Sequence, residues 1–204
     1  SHYGVVPVQN STQGIVASTL DMFMKSSLKI SGEIEILINH NILSNLDSID
    51  SIKKIYAHPQ SFSQCKNWLE KNLPNCEKIN SLSNAEAALI ASKEKNSAAI
   101  ASSVAADIYK LNILSRNIED NHNNSTRFLV IGDRDTEPSG NDKTSIIVST
   151  KNDSGALYGL LEPLSKHYVS MTRIESRPSK HNNWEYIFYL DLNGHIKDLS
   201  LIHI

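Results

Sequence analysis

Apolar and polar positions along this chain fall into short blocks, and the period changes from block to block. Residues 3–8 are a near-continuous apolar run and predict a short buried strand. A polar turn, 9–14, follows. Ile15, Val16, Leu20, Phe23 and Met24 then recur at helical spacing. Residues 28–30 and 33–38 alternate and predict strand, and 54–57 predict another, closed by His58-Pro59. Phe62, Cys65, Trp68 and Leu69 share one face of a helix predicted over 61–71, which Pro74 stops. Ser83-Asn84-Ala85-Glu86 is a capping box, in which Ser and Glu satisfy free N–H groups at the start of a helix running to Lys93. Residues 98–100 predict a small buried strand, and Ser102 or Ser103 caps a helix ending at Lys110. Ile113 and Leu114 then lead to Phe128-Leu129-Val130-Ile131, a β-branched and aromatic run ended by Gly132. Strand–helix alternation of this kind predicts an α/β domain with largely parallel pairing. Ligands of such sheets gather at strand ends, where Ser and Asn stand here.

Residues 133–142 hold Pro138 and Gly140, show no apolar period and predict a linker. Beyond it, 144–149 predict a strand. A helix follows over 154–166 with Leu157, Leu160, Leu161 and Leu164 inward and a kink at Pro163. Residues 169–174 and 184–192 predict two more strands, the last followed by the turn Asn193-Gly194. This β-α-β-β order is the first two thirds of a ferredoxin-like βαββαβ unit. The predicted organisation is therefore a domain over 1–132, a linker over 133–142 and a second domain over 143–204.

Length and charge narrow the function. The 204 residues suffice for one large domain or two small ones. Twenty basic against 22 acidic residues give no reason to expect nucleic acid or an acidic membrane as partner. No apolar stretch is long enough to span a bilayer. Cys65 and Cys76 lack metal spacing and predict a reducing compartment, the cytoplasm, with Cys65 a buried small hydrophobe. The eight His residues are scattered, so no metal site is predicted.

Candidate chemistry centres on Asn124-Ser125-Thr126-Arg127-Phe128, at the mouth of a predicted strand. A guanidinium is a permanent fork for a carboxylate, and the neighbouring hydroxyl can donate a hydrogen bond. Together they suit an anionic substrate with an oxygen leaving group. A polar strand entry with a surface ion pair is the bland alternative. A second candidate is the turn Gln9-Asn10-Ser11-Thr12, where a strand gives way to a helix start that favours an anion. Plain N-capping by Ser11 or Thr12 is compatible with it.

The motif Asn-x-Thr-Arg-Phe resembles the signature of prephenate dehydratase. Val6-Pro7-Val8-Gln9-Asn10-Ser11, Ser31-Gly32-Glu33, His58-Pro59-Gln60 and Ala98-Ala99-Ile100-Ala101-Ser102 match that family in the same order. Glu175-Ser176-Arg177-Pro178 resembles the effector motif of its regulatory ACT domain. The resemblance covers nearly the whole chain. It implies two α/β lobes around a cleft, as in periplasmic binding proteins, followed by an ACT domain. It implies decarboxylating dehydration of prephenate to phenylpyruvate, with no cofactor. It assigns Thr126 as catalytic and Asn10, Ser11, Arg127 and Phe128 as substrate-binding, Asn10 and Ser11 reaching from the facing lobe. His58 is expected only to cap a turn. In the second domain, Asn152, Asp153, Gly155, Ala156 and Leu157, with Glu175, Ser176, Arg177 and Pro178, are implied to bind phenylalanine between paired ACT domains of a homodimer or homotetramer.

Two departures accompany the resemblance. Gln9 stands where the family has Glu, and the family's Gly-x-x-Gly-Thr segment upstream is not in the chain. The last helix and strand of the ACT unit are also missing, and residues 199–204 read as the translation of a transposon-adapter DNA sequence. The expectation is therefore a piece truncated at both ends. Arogenate dehydratase and a non-catalytic phenylalanine-sensing module are the alternatives.

Overall fold

In the computed structural model, residues 2–150, 153–178 and 186–202 are described. The chain divides into two compact units: residues 1–6, 18–33 and 129–204, and residues 7–17 and 34–128. Strand β1 (Tyr3–Asn10) turns back into the two-residue β2 (Gly14–Ile15), pairing antiparallel with Asn10 opposite Gly14. Helix α1 (Ala17–Phe23) follows, then β3 (Lys29–Leu37). Two expectations change here. Ile15 belongs to a strand rather than the helix, because pairing with Gln9 takes its backbone. The two alternating runs at 28–38 are one strand that passes through Gly32 without a break.

The second unit is built on β4 (Asn41–Ser44), β5 (Lys54–Ala57), β6 (Glu77–Asn80), β7 (Ser97–Ala101) and β8 (Asn112–Ser115), in the order β6-β5-β7-β4-β8. The sheet is mixed, which corrects the largely parallel expectation. β5 is parallel to β6 and β7, whereas β4 is antiparallel to β7 and β8. The cause is β4, a four-residue strand with no period long enough to announce it. β4 and β8 carry the same tetrapeptide, Asn-Ile-Leu-Ser, and pair with each other. β4 is wholly buried and β8, at the sheet edge, is not.

Helices cover both faces of this sheet. α2 (Pro59–Gln64) and α3 (Lys66–Asn72) replace the single helix expected over 61–71; they part at Cys65, whose backbone leaves the helical region at φ −117°, ψ 18°. Cys65 is fully buried among Ile55, Leu69 and Ile100, and burial pushes its thiol pKa up. It behaves as the small hydrophobe expected. α4 (Asn84–Ala91) and α5 (Ser103–Tyr109) lay Ala87, Ala88, Ala91, Ala105 and Ala106 against Leu43 and Ala99 on the other face. Small side chains let helix and sheet approach closely there. Ser83 caps α4 by accepting from the Glu86 N–H at 3.1 Å, and Glu86 reaches one residue further back than a capping box requires, to the Leu82 N–H at 2.6 Å. Ser83→Ala is expected to cost about 1 kcal/mol, read as a lower urea midpoint at unchanged slope; an unmoved midpoint would show that the cap is dispensable.

β9 (Ser125–Gly132) completes the first sheet, of order β2-β1-β9-β3. Strands β1, β3 and β9 each run from one unit into the other. Gly132 is required by close approach: a Cβ there would stand 2.9 Å from the Tyr3 ring.

In the first unit, β10 (Lys143–Thr150), α6 (Ala156–Lys166), β11 (Met171–Pro178) and β12 (Tyr186–Asn193) follow the expected β-α-β-β order, then α7 (Leu199–Ile202). Trp184, expected to begin the last strand, lies outside the described residues. The sheet order is β10-β12-β11, antiparallel throughout. α6 runs through Pro163 with one backbone donor fewer. Leu160, Leu161 and Leu164 pack on Ile146, Val148, Phe188, Leu190 and Leu192. Leu157, expected inward, is 41% exposed. Residues 133–142 form no regular element.

Candidate active site

The second unit holds a cavity of about 360 Å³ where Asn10 and Thr126 meet the starts of α2 and α4. Thr126 lies within β9 rather than in a loop before it. Asn10 ends β1, and both ends of its amide are engaged. Its Oδ1 accepts from the Thr12 and Gln13 N–H groups, each at 3.0 Å, an Asx-type turn. That fixes which end is oxygen, so the amide nitrogen is the end that faces β9. It donates to Thr126 Oγ1 at 2.9 Å and to the Ser125 carbonyl at 3.3 Å. The bond uses a lone pair of the Thr126 hydroxyl and leaves its proton to be donated.

Ser11 and Thr12 hold this turn against the strand entry. The Ser11 N–H donates to the Ser125 carbonyl at 2.8 Å, and its hydroxyl accepts from the Ser125 N–H at 2.9 Å. The Thr12 hydroxyl donates to buried Asn124 Oδ1 at 3.0 Å. Ser11, Arg127 and Phe128 are not among the residues lining the cavity. Strand geometry explains Arg127: neighbouring positions of β9 project to opposite faces, so Thr126 and Arg127 diverge.

The opposite wall comes from the ends of β5 and β6. His58 caps α2; its Nδ1 accepts from the Gln60 N–H at 3.2 Å, so the neutral ring carries its proton on Nε2. Its expected capping role is met, and it also lines the cavity. Asn84, opening α4, accepts from the His58 N–H at 3.0 Å and donates to Ser61 Oγ at 2.8 Å, tying the two helix starts together. His40 Nε2 lies 2.7 Å from Gln64 Oε1, and its backbone N–H donates to buried Glu119 at 2.8 Å. Ile38 and Leu82 supply apolar wall. The lining thus offers amide, hydroxyl and imidazole donors and the start of α4, a set suited to a small anion. His40, Gln60, Ser61, Gln64 and Asn84 were not singled out from the sequence as ligands. Only the His58 cap directly follows a predicted strand, because β6 before the Ser83 cap is too short to carry a period.

Residues 1–136 match the prephenate dehydratase family profile. The chain belongs to the prephenate dehydratase family. It is 52% identical over 193 residues to the bifunctional chorismate mutase/prephenate dehydratase of Aquifex aeolicus, covering 95% of this chain and 53% of that protein. It is 38% identical over 204 residues to the prephenate dehydratase of Methanocaldococcus jannaschii, covering 98% of this chain and 74% of that one. The crystal structure of the Arthrobacter aurescens prephenate dehydratase in complex with L-Phe superposes with a TM-score of 0.86 at 30% identity, over all of this chain and 69% of that one. The chain spans about half the length of the bifunctional relatives it matches. As in prephenate dehydratase structures, the fold is α/β with mixed sheets.

Of the remaining residues implied by the resemblance, Gly155 precedes α6 at φ 81°, where a side chain would be strained, and Ala156 and Leu157 open the helix. The Asp153 carbonyl accepts from the Ala156 N–H at 3.2 Å. Glu175, Ser176, Arg177 and Pro178 end β11, and Arg177 Nε lies 3.6 Å from Asp21 Oδ1. Asn152 lies outside the described residues. Among the described residues, no group of His, Cys, Asp or Glu could hold a metal ion, and no helix is long and apolar enough to cross a membrane.

Proposed function

We propose that this chain carries out the decarboxylating dehydration of prephenate to phenylpyruvate in the cytoplasm, and that phenylalanine regulates it. The observation that carries the reading is the Asn10–Thr126 hydrogen bond at the wall of the cavity. In the reaction the bond from the ring to its carboxylate breaks and carbon dioxide departs. The electron pair enters the ring, the C–O bond across the ring breaks, and the hydroxide takes a proton to leave as water. Aromatisation supplies the driving force. The protein must hold two carboxylates, assist the oxygen and exclude water. Thr126 donates to the departing oxygen; an aliphatic hydroxyl is too weak an acid near neutral pH for full proton transfer to be its main role. Asn10, donating to Thr126 Oγ1, polarises that hydroxyl and fixes its direction. The α4 start, with the His58 ring, stabilises negative charge across the cavity. Turnover of prephenate, assayed beside arogenate, tests the reading. Failure of a full-length protein containing this chain to convert either would overturn it.

The resemblance assigns Arg127 a substrate carboxylate, although it is not among the residues lining the cavity and alternates to the other face of β9 from Thr126. Arg127→Lys keeps the charge but loses the fork, so KM should rise roughly tenfold, the worth of about one charge-assisted bond. An unchanged KM would transfer that role to the α4 start.

In this reading 1–132 are the catalytic part, arranged as two lobes, 133–142 the linker and 143–204 an ACT-type regulatory part. The β-α-β-β order and the left-handed Gly155 before α6 support the last assignment. The segments 152–157 and 175–178 hold phenylalanine, and paired regulatory parts make a homodimer or homotetramer. The relative from Arthrobacter aurescens, described in complex with L-Phe, supports phenylalanine as the effector.

A further inference from the structure

The sheet of β10, β12 and β11 has one face under α6. The other carries Ser145, Ile147, Tyr189, Asp191 and Arg173, which share a side by register. Against that face lies a cavity of about 510 Å³, wholly within the first unit and sharing no residue with the Thr126 cavity. Leu20, Phe23, Leu28, Ile30, Leu129 and Ile147 give it an apolar body. Neither the dehydration chemistry nor segments 152–157 and 175–178 make use of it.

Its deep polar group is Arg173. A bulge in β11 between Met171 and Arg173 sets the guanidinium opposite Asp191, and bulges commonly re-aim a side chain in this way. The Arg173 side chain is only 14% exposed. Its Nη1 stands 3.9 Å from Asp191 Oδ2, beyond hydrogen-bond reach, while Asp191 Oδ1 takes the Ser145 hydroxyl at 2.6 Å. Arg173 Nη2 is buried with no hydrogen-bond partner among the described residues. A buried guanidinium N–H without an acceptor is costly, so it marks a place where an acceptor belongs. Other polar groups of the wall are already engaged. His195 accepts on Nδ1 from the Lys197 N–H and lies 3.1 Å from the Thr136 carbonyl through Nε2. The Tyr189 hydroxyl donates to the Leu20 carbonyl at 3.0 Å. At the rim, Lys29, Lys143 and Lys197 pair with Asp135, Glu33 and Glu137. Each rim lysine thus has its own carboxylate, and among the described residues Arg173 faces Asp191 alone.

We propose that this cavity is a second ligand site, taking a small monocarboxylate with an apolar body, its carboxylate beside the Arg173 side chain that lines the cavity and its body against Phe23, Ile30 and Ile147. A volume of this size suits a small molecule, and a guanidinium inside apolar walls selects for a carboxylate over a neutral polar group.

Hexanoate is the probe, with hexan-1-ol as its neutral counterpart, titrated into the full chain and followed by methyl NMR. Saturable shifts at Ile30, Ile147 and Leu129 are expected, with hexan-1-ol at least tenfold weaker. Arg173→Gln should weaken hexanoate at least tenfold and leave hexan-1-ol unchanged. The proposal falls if hexanoate gives no shifts at millimolar concentration, if shifts centre on residues of the Thr126 cavity, or if Arg173→Gln binds hexanoate as the parent does. Should Arg173→Gln fail to fold, the parent alone decides, since equal affinity for acid and alcohol overturns the proposal.

Discussion

Thr126→Ala lowers kcat for prephenate by about 10²–10³-fold, the cost of removing one donor aimed at a developing oxyanion, and leaves folding intact. Thr126 is only partly buried, and its hydroxyl meets Asn10 across the cavity wall rather than within the core. Losing it should therefore cost catalysis far more than stability. Thr126→Ser keeps the hydroxyl without the methyl that fixes its rotamer, and should recover most of the lost rate. Turnover of the Ala variant near the parent's would remove Thr126 from the mechanism. A fall in stability matching the fall in rate would recast it as a structural residue.

Asn10→Asp should be nearly as damaging, by roughly 10²-fold, with the volume of the side chain unchanged. One carboxylate oxygen would keep the Thr12 and Gln13 N–H bonds. The other would replace the amide nitrogen that faces Thr126 Oγ1 and the Ser125 carbonyl. An ionised oxygen there accepts the Thr126 proton that the substrate needs, and it repels both the Ser125 carbonyl and an anionic substrate. The sign with pH follows: protonating the introduced carboxylate restores a donor toward Thr126, so the variant should gain activity relative to the parent as pH falls through the new carboxyl's pKa. The double variant with Thr126→Ala should be scarcely worse than either single one, because the two groups act as a unit. Additive losses, or an Asn10→Asp enzyme as fast as the parent at neutral pH, would sink this coupling.

Much of this was legible in the residues. The runs at 3–8, 54–57, 98–100 and 128–131 form strands, and Ser83 caps a helix as its spacing requires. β4 is not legible because four residues carry too little period to separate strand from loop, and the antiparallel half of the five-stranded sheet depends on it. α2 and α3 read as one helix because their apolar stripe continues across Cys65, while the backbone breaks there. At the site, Asn10 and Thr126 meet although 116 positions separate them, which only a motif could suggest. Thr126 and Arg127 looked like a pair because they are adjacent, and strand alternation separates them. His58 reads as the cap of a turn and Ser83 as a helix cap, and only the sheet brings the two to one cavity wall.

The paired tetrapeptides of β4 and β8 give the molecule a built-in control. Identical residues have identical intrinsic amide exchange rates in the unfolded chain, apart from neighbour effects. Yet Ile42 and Leu43 sit in the sheet interior, and Ile113 and Leu114 at its rim. Hydrogen–deuterium exchange should therefore find the first pair opening only with the global transition and the second fraying by local fluctuation. Position in the sheet, with composition held constant, accounts for the difference.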